Sequence, residues 1–406
     1  MHSREPKEKK FEAYYITFEE ARELLRKNVP LLEKITIDVS ESAGYVLGED
    51  IKAPISIPPF PNSSMDGYAI KGIDREVFRI VGEVKPGYFP KLKLRDGEAV
   101  KVFTGSPIPQ NADAVVMIEN TAEENGYIKV LRKPQNRENI REKGEEIKKG
   151  EIVLRKNSII TPPIAGLISE LGLAKVKVFR KPKVFALVSG DEVIKPGKKL
   201  KPGKIYDANF AILENSLREL GIEEFRIKMV KDNPEEIEKQ IREGVRWADI
   251  IITSGGISVG DRDFIRDVVM GIATPIFYKV KQKPGKPLFF GKIGKKLIFC
   301  LPGNPASAYI LFFEYVAPAI RMMMGTRNPF PPEAEKILAE SIQRKKAERM
   351  LFMRGKISGD YVVPLEKQES YMLSSFAEAD CLIIVPEGAN SIEKGEKVKV
   401  HLLHHC

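Results

Sequence analysis

The first regular pattern along the chain is an amphipathic segment. After a polar leader, residues 16–28 read ITFEEARELLRKN, in which apolar residues recur at helical spacing. This apolar stripe consists of Phe18, Ala21, Leu24 and Leu25. Thr17 stands before the stripe and Glu20 follows three positions later, which is the pattern of a capping box. These residues predict a helix that begins at Phe18 and buries one face.

The pattern then changes from helical to alternating. Between about residues 35 and 154, the short runs FRIVGEV, EAVKVF, DAVVMIE, YIKVL and EIVL are separated by loops rich in Pro and Gly, which predicts an irregular β domain. The segment NSSMDGYA, at 62–69, is polar and tight, and we expect a rigid loop there. TPPIAGLISELG, at 161–172, returns to helical spacing. The middle helix and the first helix are therefore expected to share a domain that the β segment interrupts.

From residue 183 onward the rhythm is strand, helix, strand, helix, strand. VFALVS, FRIKMV and DIIITSGG are apolar strand patterns, and they predict a doubly wound parallel sheet covered on both faces. In LPGNPAS, Asn304 is the predicted cap of a further helix, with Pro305 at its first position. After the proline-rich TRNPFPPEAE, the remaining runs alternate like a small β barrel or sandwich.

Composition narrows the class of protein. A chain of 406 residues predicts several domains, and a charged content of 30% with 43% hydrophobic residues is typical of a soluble globular protein. No apolar run is long enough to span a bilayer and the first residues lack a signal-peptide core, so a cytoplasmic protein is expected. Three scattered cysteines argue against a disulfide framework or a thiolate zinc site. His401, His404 and His405 suggest a metal site, but no carboxylate or cysteine lies at ligand spacing within a predicted element, so a loose tail, or engineered or incidental histidines, is expected instead.

The net charge of +10 suits nucleic acid, an acidic membrane surface or a small anionic ligand. Aromatic residues do not interleave with the lysines, and neither an RNP-type strand nor a recognition helix is present, which argues against nucleic acid. Lysines concentrate between residues 279 and 296. Strand alternation is expected to place Lys279, Lys281 and Lys283 on one face, where ammonium groups suit oxyanions.

Polar residues follow each predicted parallel strand, where such sheets bind ligands. Together they bring four carboxylates to one edge, namely Asp191, Glu192, Asp232 and Asp263. Clustered carboxylates beside a phosphate-sized loop are typical of a Mg²⁺ site. Each acid alone has a structural alternative, since Asp191 or Asp232 could cap a helix and Asp263 could begin one.

The loop after the third strand reads TSGGISVGDRD. Its glycines permit a close approach of the main chain to a ligand, and its hydroxyls and N–H groups can hold phosphate oxygens. It matches neither the P-loop nor the GxGxxG pattern, so a structural turn and a ligand loop both remain open. In the β segment, turn chemistry alone could likewise explain Asp66, Gly67, Thr104 and Gly105.

Seven segments occur in a fixed order that resembles the molybdopterin molybdenumtransferase family, which includes MoeA and the gephyrin E domain. They are PPFPNSSMDGYA, FTGSPIPQNADAVVMIE, REKGEEIKKGE, VSGDEV followed by GKIYDAN, TSGGISVGDRDF, KPGKPLFFG and LPGNPAS. The resemblance covers nearly the whole chain. It implies a helical linker region (1–45 and 147–180), an inserted β domain (46–146), an α/β molybdopterin-binding domain (181–326) and a C-terminal β barrel (331–406).

The resemblance also implies a function. Family members are homodimers that insert molybdate, or in some relatives tungstate, into adenylylated molybdopterin with Mg²⁺ and release AMP. Their active cleft lies between the α/β domain of one subunit and the β domain of its partner, and a molybdopterin adenylyltransferase is the implied upstream partner. A molybdopterin-binding scaffold without catalysis is the alternative, although the acids and lysines of every motif are intact.

Matching the family's motifs residue by residue assigns the site. The implied catalytic residues are Asp66, Thr104, Glu192, Asp232, Asp263, Lys279 and Lys283. Of these, the implied metal ligands are Glu192, Asp232 and Asp263, and Lys279 and Lys283 are expected to bind the oxyanion. The implied cofactor-binding residues are Arg141, Ser254, Gly255, Gly256, Ser258, Lys286, Pro302, Gly303 and Asn304, with Glu146 near the cleft.

Overall fold

The computed structural model of the protein describes residues 15–257 and 264–403. The chain divides into two compact units. Within the described residues, the first unit contains 15–35, 44–46, 179–257 and 264–403, and the second contains 36–43 and 47–178.

The helices follow the predicted pattern. In chain order they are α1 (Phe18–Asn28), α2 (Pro162–Glu170), α3 (Asn209–Glu219), α4 (Pro234–Trp247), α5 (Phe264–Ile272), α6 (Pro305–Leu311) and α7 (Ala317–Met323). A π-helical turn, Phe312–Val316, joins α6 to α7. The predicted capping box of α1 is confirmed, because the Thr17 hydroxyl accepts the Glu20 N–H at 3.2 Å and the Glu20 carboxylate accepts the Thr17 N–H at 2.7 Å.

The predicted β segment is confirmed and contains one six-stranded sheet. The strands up to residue 179 are β1 (Lys34–Asp38), β2 (Val46–Leu47), β3 (Ile51–Lys52), β4 (Asn62–Ser63), β5 (Gly67–Lys71), β6 (Val77–Val84), β7 (Glu98–Val102), β8 (Ala114–Met117), β9 (Thr121–Glu124), β10 (Tyr127–Val130), β11 (Ile140–Arg141), β12 (Ile152–Leu154) and β13 (Lys175–Phe179). The six-stranded sheet has the order β8-β5-β7-β6-β10-β9. Three smaller sheets pair β1-β13-β2, β4 with β11 and β3 with β12.

One loop prediction in this segment was wrong. The second half of NSSMDGYA forms β5, which lies between β7 and β8 in the six-stranded sheet. A Cβ atom at Gly67 would lie 2.0 Å from the Val116 carbonyl oxygen, so glycine is required where β5 approaches β8. Turn chemistry was one possible explanation of this glycine from the sequence, whereas in the fold it permits the close approach of two strands.

The predicted doubly wound sheet is also confirmed. Its region contains β14 (Val184–Ser189), β15 (Val193–Ile194), β16 (Ile205–Tyr206), β17 (Phe225–Val230), β18 (Ile250–Ser254), β19 (Thr274–Lys279), β20 (Gln282–Lys283), β21 (Pro287–Ile293) and β22 (Lys296–Leu301). The sheet order is β17-β14-β18-β22-β21-β19, with the first four strands parallel and β21 antiparallel to both neighbours. Alternate residues of β14 enter two separate cores, which explains why the first five residues of this strand are all apolar.

The expected single strand through Lys279, Lys281 and Lys283 was wrong. β19 ends at Lys279, and Lys283 belongs to β20, which pairs with a strand of the C-terminal barrel. Lys281 lies between them, and its ammonium group is 3.4 Å from a carboxylate oxygen of Glu387. Lys279 pairs with Pro287 of β21, Val280 pairs with Ile16, and Lys283 pairs with Leu351 in the C-terminal region. The three lysines therefore do not belong to one continuous strand.

The C-terminal region forms the predicted barrel. Its strands are β23 (Glu333–Leu338), β24 (Ile342–Gln343), β25 (Met350–Ser358), β26 (Tyr361–Pro364), β27 (Cys381–Val385), β28 (Ser391–Ile392) and β29 (Lys397–Leu402). Five of them close in the order β25-β26-β23-β29-β27, because β27 also pairs with β25. The interior is apolar, with Leu338, Val362, Ile383 and Val400 fully buried.

The expectation of a loose histidine tail was wrong for His401. This residue lies in β29, is 2% exposed and places its Nδ1 atom 2.6 Å from the buried Glu314 carboxylate. His404 and His405 lie outside the described residues. Alternation in β29 places His401 on the same face as the exposed Lys397 and Lys399, opposite Val398 and Val400. His401 is buried because α1 and the π-helical turn pack against that outer face and supply its partners.

Asp249 stabilises the end of the sheet at which the parallel strands begin. Its carboxylate accepts two hydrogen bonds from Arg180, at 2.6 and 3.2 Å, and one from the Lys183 N–H at 3.0 Å. Lys296 contributes a fourth at 3.2 Å. Burial alone would raise the pKa of Asp249, but the hydrogen bonds from Arg180 and Lys183 outweigh burial and lower it.

Replacing Asp249 by Asn is expected to cost about 1–3 kcal/mol of unfolding free energy at pH 7, because hydrogen bonds to a charged group are lost. A carboxylate with a lowered pKa contributes stability above its unfolded pKa of about 3.9, and this contribution disappears as the pH falls through the folded pKa. Denaturant unfolding between pH 7 and pH 3 measures both effects. Glu235→Gln, at an exposed position of α4, is the control. Equal pH dependence in wild type and Asp249→Asn would contradict the assignment.

Candidate active site

A cleft of about 780 Å³ lies at the edge of the α/β sheet where the parallel strands end. Several of the predicted site residues line it together: Glu192, Asp232, Gly255, Gly256, Lys283, Lys286, Pro302, Gly303 and Asn304. They follow the ends of β14, β17, β18 and β22 or belong to β20 and the loop after it. The volume is in the range of small-molecule and cofactor sites.

Carboxylates meet at the ends of β14 and β17, as predicted. The Asp232 side chain accepts the Asp191 N–H at 3.2 Å, and the Asp191 side chain accepts the Asp232 N–H at 3.3 Å. Burial raises the pKa of Asp232, and the negative charges of Asp191 and Glu192 raise it further. This part of the cleft therefore concentrates negative charge that a cation would relieve.

The glycine loop after β18 brings two strand ends into close contact. Gly255 has φ +104°, and a Cβ atom there would lie 2.6 Å from the Ser189 carbonyl oxygen. Ser254 is fully buried and does not line the cleft; its hydroxyl donates to the Pro302 carbonyl at 3.3 Å and accepts from the Asn209 amide at 2.8 Å. Ser254 is therefore placed to support the loop. Ser258 and Asp263 lie outside the described residues.

The lysine loop after β20 is supported from the protein interior. Gln282 is fully buried and donates from Nε2 to the Pro284 carbonyl at 2.9 Å, and its side-chain oxygen accepts from the Tyr315 hydroxyl of the π-helical turn. Gly285 has φ +88°, and a Cβ atom there would lie 2.8 Å from the Leu311 side chain. This support fixes the backbone from which Lys283 and Lys286 extend into the cleft.

Lys279 lies beside this loop but not among the lining residues of the cleft. It is 7% exposed, and its ammonium group is 5.0 Å from the Tyr278 ring centroid and 5.9 Å from that of Tyr15. The Tyr15 ring is also 4.7 Å from the Lys286 ammonium group. Sequence analysis missed Tyr15, which reaches the lysines because Ile16 pairs with the end of β19.

The C-terminal barrel contributes three lining residues that sequence analysis also missed: Arg349, Ser370 and Tyr371. Asn304 occupies the predicted cap position of α6, but its side chain makes no capping bond and instead donates to the Ser370 hydroxyl at 3.0 Å. No local pattern marks these barrel residues, because they reach the cleft only through long-range packing. Arg349 adds a guanidinium group to the lysines of the lining.

Asp66 and Thr104 lie in the second unit, and the structure brings them together across 38 residues of sequence. One carboxylate oxygen of Asp66 accepts both the Thr104 N–H at 2.7 Å and the Thr104 hydroxyl at 2.8 Å. These two hydrogen bonds, the backbone one first, lower the pKa of Asp66. The pair therefore presents an exposed carboxylate that stays ionised. In the same unit, Arg141 and Glu146 line a separate cleft of about 650 Å³.

The described residues can also be compared with the requirements of a metal site and of a membrane-spanning helix. Within residues 15–257 and 264–403, no group of three or more His, Cys, Asp or Glu side chains is arranged to hold a metal ion. The helices of that same part of the chain include none long and apolar enough to cross a bilayer.

Comparison with known proteins identifies the family of this site. Residues 16–172 match the MoeA N-terminal region (domain I and II), residues 186–322 match a family described as "Probable molybdopterin binding domain", and residues 337–403 match the MoeA C-terminal region (domain IV). The chain belongs to the MoeA family. Its cleft lies in the part that matches the molybdopterin-binding family model, with Arg349, Ser370 and Tyr371 added from domain IV.

Relatives of known name agree with this assignment. A MoeA-family protein of Haemophilus influenzae, named molybdopterin molybdenumtransferase, is 33% identical over 400 residues, which cover 96% of this chain and 99% of the relative. A protein of the same name from Staphylococcus epidermidis is 31% identical over 399 residues, 95% of each chain. The crystal structure of the molybdopterin biosynthesis MoeA protein from Pyrococcus horikoshii superposes with a TM-score of 0.81 at 30% identity, covering 97% of this chain and 100% of that one. The predicted family and enzyme class are therefore confirmed, together with the role in molybdenum cofactor biosynthesis.

Proposed function

We propose that this MoeA-family enzyme inserts molybdate into adenylylated molybdopterin in the presence of Mg²⁺ and releases AMP. The observation that carries the proposal is the charge of the cleft. Glu192 and Asp232 line the same cavity as Lys283, Lys286 and Arg349. A pyrophosphate-bearing pterin and a tetrahedral dianion require cationic side chains, and a divalent ion requires carboxylates, so one cleft offers groups for both.

The roles that we propose follow this division of charge. Lys283 binds the oxyanion, and Arg349 and Ser370 are added to that role because they line the cleft beside Lys283 and Lys286. The family's motif implies the same role for Lys279, which lies behind this lining. Gly255, Gly256, Lys286, Pro302, Gly303 and Asn304 shape the pocket for the pterin and its phosphates, supported by Ser254. Asp66 and Thr104 act as a pair, and Arg141 takes part in binding. As the family's motifs imply, Asp263 acts as a metal ligand in catalysis and Ser258 binds the cofactor.

The carboxylates fit Mg²⁺ in a particular way. This ion usually takes one or two protein carboxylates and completes its octahedron with substrate oxygens and water. Asp232 and Glu192 can supply two carboxylates within the cleft, with Asp263 as the third acid of the motif. When bound, Mg²⁺ would neutralise charge on the phosphoanhydride.

The proposal includes the assembly that the family resemblance implies. We propose a homodimer in which the β domain (46–146) of one subunit completes the cleft in the α/β domain (181–326) of its partner, so that Asp66 and Thr104 act from the partner. The helical region (1–45 and 147–180) and the barrel (331–406) complete this four-domain division. A molybdopterin adenylyltransferase would supply the adenylylated substrate, and tungstate would compete with molybdate because both are tetrahedral dianions of similar size.

Reconstitution tests the function directly. Purified protein is incubated with adenylylated molybdopterin, Mg²⁺ and either molybdate or tungstate, and AMP release is followed together with metal incorporation. We expect both products in equal amounts, with no incorporation when Mg²⁺ is chelated. Release of AMP without incorporation would indicate a hydrolase. Tight binding of the pterin with neither product would support the alternative of a molybdopterin-binding scaffold.

A further inference from the structure

The segment 367–371 connects the barrel to the cleft. It follows β26 without regular strand pairing, and Lys367 has φ +56°. The Ser370 hydroxyl accepts from the Asn304 side chain at 3.0 Å, and the Ser370 carbonyl accepts the Ser307 N–H at 3.3 Å. A Glu369 carboxylate oxygen lies 3.8 Å from the Lys283 ammonium group. The segment therefore contacts both the start of α6 and the lysine loop.

A buried guanidinium holds this segment from inside the barrel. Arg354, in β25, is fully buried. Its Nη1 atom donates to the Gln368 carbonyl at 3.0 Å, and its Nη2 atom donates to the carbonyls of Lys367 and, at 3.4 Å, Glu369. Its Nε atom donates to the Ser375 hydroxyl at 3.0 Å. The carbonyls of three consecutive residues thus converge on one side chain immediately before Ser370.

The Gln368 side chain reinforces the same arrangement. Its Oε1 atom accepts the Arg354 N–H at 2.9 Å, and its Nε2 atom donates to the carbonyls of Arg354 at 2.9 Å and Leu365 at 2.6 Å. The Gln368 amide therefore bonds the backbone of Arg354 in β25, beyond the last residue of β26. Arg354 and Gln368 together determine the path of the backbone toward the cleft.

Arg354 carries a positive charge in the interior of the protein. Burial lowers the pKa of its guanidinium to about 10, so the group still carries its charge at neutral pH. Within the described part of the chain it forms no ion pair; backbone carbonyls of the segment accept its hydrogen bonds, and the negative charge of Glu369, in the same segment, favours the charged form. A buried cation needs several well-placed acceptors. The segment can satisfy this charge only in a conformation that brings its carbonyls together.

We propose that Arg354 is a positioning residue, which fixes segment 367–371 so that Ser370 and Tyr371 line the cleft and the C-terminal barrel thereby sets the affinity for the oxyanion. The identity of the oxyanion as molybdate rests on the proposed function. Arg354 itself does not line the cleft. Its effect on binding passes through the backbone that it holds.

The test compares Arg354→Met and Arg354→Lys in the full-length chain. Hydrogen exchange of the amides at 366–372 is expected to accelerate at least about tenfold in Arg354→Met. In that variant, local opening of the segment does not have to break the hydrogen bonds that the guanidinium group donates to its carbonyls. In reconstitution, the KM for molybdate is expected to rise about tenfold while kcat at saturating molybdate changes by less than about threefold. Arg354→Lys should be intermediate, because lysine keeps the charge but lacks the planar fork of donors.

A matched control separates positioning from general destabilisation. Val400→Ala removes buried volume from the same barrel at a fully buried strand position outside segment 367–371. It is expected to lower stability and leave both the exchange at 366–372 and the molybdate KM unchanged. An equal rise in KM in Val400→Ala and Arg354→Met would overturn the proposal, as would wild-type exchange and KM in folded Arg354→Met.

Gln368→Met covers the case in which Arg354→Met does not fold. It removes the side-chain bonds to Arg354 and Leu365 and is expected to raise the molybdate KM about threefold to fivefold, with faster exchange at 366–372. Wild-type values for both would refute the positioning role. If the wild-type enzyme neither bound nor inserted molybdate, the proposed function would fail instead, and the exchange measurements would still decide whether Arg354 holds the segment.

Discussion

Replacement of Asp232 by Asn is expected to lower the rate of molybdenum insertion by about 10²- to 10³-fold, the range seen when one group that stabilises transition-state charge is removed. Asp232 lines the cleft, and its side chain accepts the Asp191 N–H. Asparagine keeps the size and one acceptor oxygen but loses the negative charge that the proposed Mg²⁺ site needs. Single-turnover measurements of metal incorporation and AMP release at saturating pterin, with a titration of Mg²⁺, measure the effect.

A carboxylate at the opposite end of the same sheet provides the control. Asp249→Asn also exchanges a partly shielded Asp for Asn, but Asp249 precedes β18 whereas the glycine loop follows it. The folded Asp249→Asn enzyme is expected to insert molybdenum within about twofold of wild type, because it changes no group in the cleft. If Asp232→Asn kept wild-type rates and Mg²⁺ dependence, Asp232 would have no role in catalysis or metal binding.

Replacement of Arg22 by Met is expected to destabilise the protein by about 3–5 kcal/mol, the cost of leaving one member of a buried ion pair without its partner. Arg22, in α1, is 6% exposed and lies 3.2 Å from a carboxylate oxygen of the fully buried Glu314 and 3.1 Å from one of Glu333. Its guanidinium carbon also stacks 4.3 Å from the Phe18 ring centroid. Without Arg22, the hydrogen-bond partner that the Glu314 carboxylate keeps among the described residues is the His401 ring.

Unfolding in guanidinium chloride, followed by tryptophan fluorescence and circular dichroism, measures this loss of unfolding free energy. Lys27→Met replaces an exposed cation on the same helix and is expected to change stability by less than about 0.5 kcal/mol. The double variant Arg22→Met with Glu314→Gln should recover part of the loss, because it removes the unpaired buried charge. An equal midpoint for wild type and Arg22→Met, or no recovery in the double variant, would show that the cluster does not stabilise the fold in this way.

Secondary-structure elements that depend on residues close together in the sequence were predicted correctly. The capping box at Thr17 and Glu20 formed as predicted, and VFALVS became a central strand because both of its faces are covered. The carboxyl-end rule placed Glu192 and Asp232 in one cleft without any knowledge of the structure. These predictions succeeded because the periodicity of an element and the direction of a parallel strand are properties of short segments.

Predictions failed where a residue's partner lies far away in the sequence. NSSMDGYA was expected to form a loop in which turn chemistry could explain Gly67, but this glycine lies in a strand against Val116 of the neighbouring strand. The three lysines after residue 278 were assigned to one strand face, but pairing with Ile16 and with Met350 interrupts that strand. No local sequence pattern identifies Arg349 and Ser370 as cleft residues, because the packing of the barrel against the α/β domain places them there.

The family, the order of helices and strands, and the acids, glycines and lysines at the edge of the parallel sheet could all be predicted from the amino-acid sequence. Long-range packing determines which of these residues line the cleft, leaves Ser254 and Lys279 behind its lining, and adds Arg349, Ser370 and Tyr371 from the barrel. The physical reason is that local periodicity fixes secondary structure, whereas the surroundings of a side chain depend on contacts between segments hundreds of residues apart, such as those of Arg22 with Glu314 and His401.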